Sequence, residues 1–497
     1  MNHARVWARI STDATGNTIR LPVILLLHEG RLTALKPLVH YFLKWHEDRS
    51  HTWMTKLCEI TGQLLDYLDA NRGVHAKPVH MFQGFTEALY NGTFNERSED
   101  PSGLCWLPSN SKTINQKLAM LEEFSDWMAH EEYVVEPLNP WSDATTAEQR
   151  FNWIAWYRRN QHSFLGHIGR TSKKTLELEQ ARIIKRRRQP SSKPSAPKAF
   201  PAAFEVTLLR KGFIRPGKDF EVDILEKFDW RGICIAMLLL YGARRLSEPF
   251  HLWTGDVMEN PTRPGEALVR IYHPIDGQAP GKPTINGRRA ANRQAYLQAF
   301  YPKFQPRIRA DGNYHAGFKG RAFADDKAKF LHVYWLPSDM GKAFLLAYHN
   351  YMRQRARWGL DGLRHPFAFV SHKKGEHFGQ PYTIKSFEAA WARAIKRIGL
   401  PHTKSDGTTP HGGRHGAGVR ANKAGVSIYD AQEMFGHRSP ESQRTYRTPT
   451  PEQVTELMEV ATRRLQDAET AKKGNGPTVP PSAELIEIWM HQETSDR

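Results

Sequence analysis

Apolar residues recur at helical spacing in two stretches of the N-terminal third of the chain. In both stretches they return every three or four positions, which is typical of helices that bury one face. The positions are Leu57, Ile60, Leu64, Leu65 and Leu68, then Ile114, Leu118, Leu121, Phe124 and Met128. The pattern predicts a compact helical domain over residues 51–184, preceded by a helical extension over residues 1–50.

Both periodicities occur in the C-terminal part of the chain. Strand-like alternation is found in residues 267–273 and 330–335, and helical spacing in residues 338–357 and 385–398. The interval between the two strands, residues 274–329, is much longer than a hairpin needs, so we expect an insertion there. The expected fold is mainly α with a small β-sheet. It has a helical N-terminal region and an α+β domain over residues 204–466, followed by a flexible connector and a C-terminal helix over residues 467–497.

A basic segment rich in Pro and Ser lies between the two predicted domains, over residues 185–203. It opens with four consecutive cations, Lys185, Arg186, Arg187 and Arg188, and it lacks apolar periodicity. We expect an interdomain linker whose cations contact phosphate groups. A linker that is merely solvated is the alternative.

Lys and Arg exceed Asp and Glu by 70 to 52, which gives a formal net charge of +18. This excess favours a polyanionic partner, although charge alone does not separate DNA from RNA or an anionic membrane. The three cysteines, Cys58, Cys105 and Cys234, are scattered and odd in number, which favours a reducing cytoplasm over a disulfide framework. The apolar run at residues 21–27 is too short for a secretion signal or a membrane span, so neither is expected.

Most of the reactive side chains are concentrated between residues 411 and 446. The chain reads His411-Gly-Gly-Arg414-His415, then Gly-His437, and a tyrosine, Tyr446, follows His437 by nine positions. A phosphoryl group in transfer spreads negative charge over its non-bridging oxygens. A planar guanidinium stabilises that charge well, because it has several N–H donors in fixed directions. Imidazoles can donate to the same oxygens or take the proton of an attacking hydroxyl. The set therefore suits phosphodiester chemistry.

A third segment lies about 165 residues upstream, where residues 241–248 contain Arg245 and Glu248. Together, in this order and spacing, the three segments resemble the tyrosine recombinases, the phage-integrase-like site-specific recombinases, over about residues 205–460. The resemblance implies that Tyr446 is the nucleophile and that Arg245 and Arg414 clamp the phosphate. It also implies that His411 assists proton transfer and that His437 donates a hydrogen bond to the phosphate.

The family also places a lysine on a hairpin between strands, where it protonates the leaving oxygen. The insertion leaves four candidates in this chain, Lys282, Lys319, Lys327 and Lys329. We favour Lys319, because it lies between Gly317 and Gly320, where a turn can present a side chain.

The resemblance implies a DNA strand-exchange enzyme that needs neither ATP nor a metal and serves a mobile element. Its partners would be double-stranded DNA, three further copies of itself on paired sites, and possible accessory proteins. A type IB topoisomerase and a catalytically silent DNA-binding regulator are the alternatives. Taken singly, the segments also have plainer readings: a solvated helix face for His411 and Arg414, a half-buried Tyr446, and a helix-capping Arg245. A metal site at His411, His415 and His437 would lack a carboxylate or thiolate ligand at suitable spacing.

Overall fold

The computed structural model describes residues 3–11, 18–28, 30–160, 179–188, 197–284, 286–310, 312–319, 322–360, 362, 365–437, 458–460 and 463. The chain divides into two compact units, Met1–Ser191 and Ser192–Arg497. Within the described residues it is mainly helical, with three small antiparallel sheets. The predicted fold class is therefore confirmed.

The first unit combines a sheet with a group of helices. Its elements are β1 (His3–Ser11), β2 (Thr18–His28), β3 (Arg31–Ala34), α1 (Lys36–Trp45), α2 (His51–Ala70), α3 (Pro78–Asn91), α4 (Ser111–His130), β4 (Trp141–Asp143), α5 (Thr146–Asn160) and β5 (Gln180–Arg182). The first three strands pair in the order β1-β2-β3, and β4 pairs with β5. Side chains cap two of the long helices: Ser50 accepts from Trp53 N at the start of α2, and Asn110 accepts from Lys112 N at the start of α4.

The prediction of a helical extension over residues 1–50 is wrong. Only α1 is helical there, and the residues before it form the three-stranded sheet. Leu21 and Ile24 of β2 are buried in one core with Tyr41 of α1 and Leu57 of α2, so residues 1–50 belong to the same unit as the helices that follow. An apolar run of seven residues fits a buried strand as well as a short helix, and periodicity alone does not separate them.

The bounds predicted for the linker, residues 185–203, are also wrong at both ends. Residues 185–188 pack onto the first unit, where the carboxylate of Glu122 pairs with Arg186. At the other end, Phe200 is buried in the second unit against the ring of Trp391. Any tether is therefore confined to the residues between these two segments, and positions 189–196 lie outside the described residues.

The second unit contains one helix that is buried on nearly all sides. Its elements are α6 (Glu205–Thr207), α7 (Ile224–Lys227), α8 (Trp230–Leu240), β6 (Val257–Glu259), β7 (Ala267–Tyr272), α9 (Arg293–Phe300), β8 (Phe330–His332), α10 (Met340–Arg357), α11 (Ile384–Arg397), α12 (Pro410–Lys423) and α13 (Ile428–Phe435). The strands pair antiparallel in the order β6-β7-β8. In α8, every residue after Trp230 is buried. Across the described parts of both units, no helix is long and apolar enough to cross a bilayer.

Arg420 fixes α12 against the end of α8. Its Nη1 donates to the carbonyl oxygens of Leu240 (3.0 Å) and Leu336 (3.2 Å), and its Nη2 donates to both carboxylate oxygens of Glu205. The guanidinium also lies 4.9 Å from the centre of the Tyr241 ring. One side chain thus joins three segments and sets the position of the helix that carries His411 and Arg414.

The expected insertion lies between β7 and β8 and contains α9. Two buried arginines attach it to the rest of the unit. Arg293, 2% exposed, pairs with both carboxylate oxygens of Asp256, and its guanidinium lies 4.1 Å from the centre of the Trp253 ring. Arg307, also 2% exposed, donates to the carbonyl oxygens of Tyr314 (2.6 Å) and of residues 250 and 382. The insertion is therefore held from both sides.

The Arg293 pair generates a stability prediction. Replacing Arg293 by Met should lower the free energy of unfolding by about 3–5 kcal/mol, because the buried Asp256 carboxylate would lose its partner. Urea denaturation followed by tryptophan fluorescence measures the change, since Trp253 lies against the pair.

Arg288→Met is the matched control, because Arg288 is an exposed arginine of the same insertion. It should change the free energy of unfolding by less than about 0.5 kcal/mol. Equal effects of the two substitutions would contradict the anchoring role of the pair.

Candidate active site

Two adjacent arginines follow α8 in different environments. Arg244 is fully buried, with its Nε donating to the Gly242 carbonyl (2.8 Å) and its Nη2 to the Met434 carbonyl. Arg245 is partly exposed, and its backbone N–H donates to the Glu248 carboxylate (2.9 Å). The turn thus directs Arg244 into the core and leaves Arg245 at the surface. Glu248 orients Arg245 by holding its backbone.

The N-terminus of α12 carries the His-Gly-Gly-Arg-His segment. Pro410 occupies the first turn, where its missing N–H costs nothing. Gly412 accepts a hydrogen bond from the backbone N–H of Phe200 (2.9 Å), and a Cβ at this position would come within 1.7 Å of the Gly407 carbonyl oxygen. Only glycine allows this approach. His411 is left exposed beside the loop, while Arg414 is 2% exposed.

Arg414 connects α12 to the two other motif segments. Its Nη1 donates to the carbonyl oxygen of Ala243, and its Nη2 donates to the carbonyl oxygen of Phe435 (3.1 Å) and to Nε2 of His437 (2.9 Å). Gly436 ends α13 with a φ of 60°, a left-handed conformation that favours glycine. This turn brings His437 back against Arg414. Because Nε2 of His437 accepts a hydrogen bond, its ring carries the proton on Nδ1.

Four cations act on the imidazole of His411. Its pKa is lowered first by partial desolvation of the ring and then by the charges of Arg414, Lys404, Arg245 and Lys319. The neighbouring His415, whose ring centre is 4.3 Å away, has a pKa of about 4, because burial and the nearby charges disfavour its protonated form. Both rings are therefore neutral near pH 7 and can accept a proton.

The insertion brings Lys319 towards this site. His251, which lies shortly after the first arginine segment, donates from Nε2 to the Gly317 carbonyl (3.3 Å). The ring of Phe318 packs edge-on against His251, with the ring centres 5.3 Å apart. These contacts hold the residues just before Lys319, and its charge acts on His411. Lys329 instead forms an ion pair with Asp326 (3.7 Å).

Five of the six predicted catalytic residues are thus found together: Arg245, Lys319, His411, Arg414 and His437. Tyr446 lies outside the described residues, as do residues 438–445. Within the described ranges, no three His, Cys, Asp or Glu side chains are grouped so that they could hold a metal ion. A metal at His437 would also face the positive charge of Arg414.

The four cations predicted to bind DNA lie in the first unit, where three of them have intramolecular contacts. Lys185 pairs with Glu148, and Arg186 pairs with Glu122. Arg187 donates to the side chain of Asn91 (2.7 Å) and lies over the ring of Tyr90. Arg188 is exposed, and the described residues offer it no ion pair. Of the four, Arg188 is thus the one best placed to meet a phosphate.

Residues 336–453 match the family model described as the phage integrase family. This part of the chain is similar to members of that family. The match includes His411, Arg414, His437 and Tyr446, whereas Arg245 and Lys319 lie upstream of it. The resemblance to the phage integrase family that was drawn from the sequence is confirmed.

Several solved structures are similar to the chain at low identity. The Tn1549 transposon integrase in complex with transposon right end DNA has 13% identity and a TM-score of 0.41, with 85% of this chain and 98% of that chain covered. The XerA recombinase has 13% identity and a TM-score of 0.31, with 86% and 97% covered. The XerH site-specific recombinase bound to difH substrate has 12% identity and a TM-score of 0.31, with 78% and 94% covered. No curated protein matches the chain.

Two charged residues of the site were not predicted from the sequence. Arg244 is adjacent to Arg245, and the doublet carries no signal that separates the buried arginine from the exposed one. Lys404 belongs to a loop before α12 that matches no motif, although its charge acts on His411. Burial, with the charges of Arg414 and Arg245, lowers the pKa of Arg244 to about 9.

The contacts of the basic run, residues 185–188, predict different effects for substitutions of Arg188 and Arg186. Arg188→Gln should reduce the slope of log affinity for duplex DNA against log salt by up to about 0.9, the value for one lost phosphate contact. Thermal unfolding should not change, because Arg188 is exposed.

Arg186→Gln is the companion variant, and it should lower the unfolding temperature because the buried Glu122 loses its ion pair. Salt titrations of DNA binding and thermal melts test both variants. If Arg188→Gln leaves the salt slope unchanged, the run does not contact phosphates through that residue.

Proposed function

We propose that this chain is a site-specific DNA recombinase or integrase that cuts and rejoins double-stranded DNA through a 3′-phosphotyrosine intermediate. The observation that carries the proposal is the convergence of Arg245, Arg414 and Lys319 on the neutral imidazole of His411. Fixed cations beside a proton acceptor suit the attack of a hydroxyl on a phosphodiester. The match to the phage integrase family extends over Tyr446, which supports the assignment of its hydroxyl as the attacking group.

In the first step, the hydroxyl of Tyr446 attacks the scissile phosphorus, and His411 takes its proton. Arg245 and Arg414 stabilise the negative charge that develops on the non-bridging oxygens. Arg414 also orients His437, to which it is hydrogen-bonded, so that the Nδ1–H of His437 can serve as a donor. The products are a 3′-phosphotyrosine and a free 5′ end.

The departing 5′ oxygen needs a proton near neutral pH, and Lys319 supplies it. The covalent link to Tyr446 retains the energy of the phosphodiester, so a 5′-hydroxyl can reverse the reaction without ATP or a metal. If that hydroxyl belongs to a second DNA site, the strands are exchanged. Such an exchange brings four active sites together, which implies a homotetramer on paired sites, with accessory proteins where the outcome is directed.

The biological setting that we propose is the integration or excision of a mobile element in the cytoplasm. The net charge of +18 supports a DNA partner. In the first unit, the helical group and the exposed Arg188 would contact the duplex away from the cut site.

The assignment of the nucleophile is tested by Tyr446→Phe. On a nicked suicide substrate, this variant should bind DNA as the wild type does but form no covalent adduct, because the ring lacks the attacking oxygen. Denaturing gels that resolve free protein from protein–DNA adducts give the measurement. Tyr429→Phe is the matched control, since Tyr429 is an exposed tyrosine of α13, and its adduct yield should equal that of the wild type.

Adducts that persist in Tyr446→Phe would contradict the assignment. If the wild-type protein itself forms no adduct, the chain is a DNA-binding regulator. If the wild type relaxes supercoiled DNA as a monomer and yields no recombinant from paired cognate sites, it is a type IB topoisomerase instead.

The role of Lys319 is tested by replacing the 5′-bridging oxygen of the substrate with sulfur. A thiolate leaves without a proton, so the general acid is no longer required. Lys319→Ala should slow cleavage of ordinary DNA by about 100-fold to 10,000-fold. The same variant should cleave the sulfur-bridged substrate near the wild-type rate. Single-turnover cleavage rates provide the comparison.

Two variants make this test specific. Arg245→Ala should slow both substrates, because stabilisation of the non-bridging oxygens is still needed. Lys329→Ala should slow neither, since Lys329 is ion-paired with Asp326. If the sulfur-bridged substrate restores cleavage by the alanine variant of Lys282, Lys327 or Lys329 but not by that of Lys319, the general acid is that other lysine.

A further inference from the structure

The second unit contains a cavity of about 510 Å³ that is separate from the residues assigned to DNA cleavage. It lies between residues 212–218, the start of α8, and α11. Its volume is in the usual range for sites that bind small molecules. Six of its lining residues are cations: Arg215, Lys218, Arg231, Arg393, Lys396 and Arg397.

A buried arginine forms part of the wall. Arg231 is 4% exposed, donates from Nη1 to the Val370 carbonyl (2.7 Å), and pairs through Nη2 with Asp229 (3.3 Å). Its guanidinium is stacked on the ring of Tyr382, with 3.6 Å between Cζ and the ring centre. Its Nε has no hydrogen-bond partner in the part of the chain that the structure describes. A buried N–H donor without a hydrogen-bond partner lowers the stability of the fold, and a ligand oxygen could accept its hydrogen bond.

A second polar group lines the cavity near Arg231. Nδ1 of His372 is buried and also lacks a hydrogen-bond partner among the described residues. Burial and the charge of Arg231 lower the pKa of His372 to about 4, so the ring is neutral near pH 7. A neutral ring can donate through either nitrogen, depending on its tautomer.

The cations of the cavity differ in whether a carboxylate neutralises them. Arg215, Lys218 and Arg397 each pair with an acid, namely Glu226, Glu221 and Asp219. Arg393 and Lys396 are exposed and lie three residues apart on α11, where the described residues provide no ion pair for either. Asp229 is the acid in the lining, and it is already paired with Arg231. The cavity therefore carries a positive excess that an anion would neutralise.

We propose that this cavity binds a phosphorylated small molecule of about nucleotide size. Its phosphate would lie between Arg231, Arg393 and Lys396, and its remaining atoms against the apolar part of the lining, Phe213, Ile214 and Pro216. A terminal phosphate can enter a cavity ahead of the rest of its molecule. A backbone phosphate of duplex DNA is flanked by sugars on both sides, so it cannot reach a buried group such as Arg231 without bringing the backbone with it.

Isothermal titration calorimetry of the full chain tests this site, with pyrophosphate and adenosine 5′-monophosphate as probes. Both probes should bind once per chain, and uncharged adenosine should not bind. The double variant Arg393→Gln/Lys396→Gln should weaken both probes by roughly tenfold or more, because it removes two charge-assisted contacts. Lys385→Gln is the matched control, an exposed cation of the same helix outside the cavity lining, and it should bind as the wild type does.

Absence of binding by both probes up to about 1 mM, a range that covers weak affinities, overturns the proposal. Equal weakening by the double variant and by Lys385→Gln overturns it as well. A short DNA duplex added at saturating concentration distinguishes a small-molecule phosphate from a phosphate of the DNA backbone. Adenosine 5′-monophosphate that still binds in the presence of the duplex supports a small-molecule site. Displacement by the duplex, with weaker duplex binding in the double variant, assigns the cavity to DNA and contradicts the proposal.

Discussion

The geometry of the candidate active site depends on the hydrogen bonds of Arg414. Its single guanidinium reaches the backbone beside the first arginine segment, the end of α13, and the ring of His437. These partners are far apart in sequence, so the side chain closes a site that no local structure could form. The planar group has several N–H donors in fixed directions, which an ammonium lacks. Lysine at this position would keep the charge and lose the connections.

Closing the site in this way concentrates positive charge. Arg244, Arg245, Arg414, Lys319 and Lys404 act on one another or on His411. Burial first, and then the repulsion between these charges, lowers the pKa values of His411 and Arg244. Such an arrangement lowers the stability of the protein alone and is relieved when an anion enters. The site is therefore electrostatically suited to an anion, and the lowered pKa leaves the His411 imidazole neutral near pH 7.

The sequence predicted the elements of the second unit well because their patterns are local. The helix expected over 338–357 is Met340–Arg357, and the motif segments were recognised by their resemblance to the tyrosine recombinases. The strands of residues 3–34 were missed, because a short apolar run has no period that distinguishes a strand from a helix. The intramolecular contacts of the basic run were missed for a different reason. Composition gives the charge of Arg186, but it does not indicate that Glu122 lies in the fold to receive it.

The insertion between β7 and β8 shows how much the length of this connection can vary. Closing a loop costs conformational entropy that grows only logarithmically with length, by about 0.6 kcal/mol for each doubling, so a long excursion is tolerated. Lys319 is positioned by the anchors of the excursion, Arg307 and the contact between His251 and Gly317. Residues between the anchors can therefore be gained or lost while the lysine stays in place. Alignments that count from the strand would then misplace Lys319, whereas the anchoring contacts locate it.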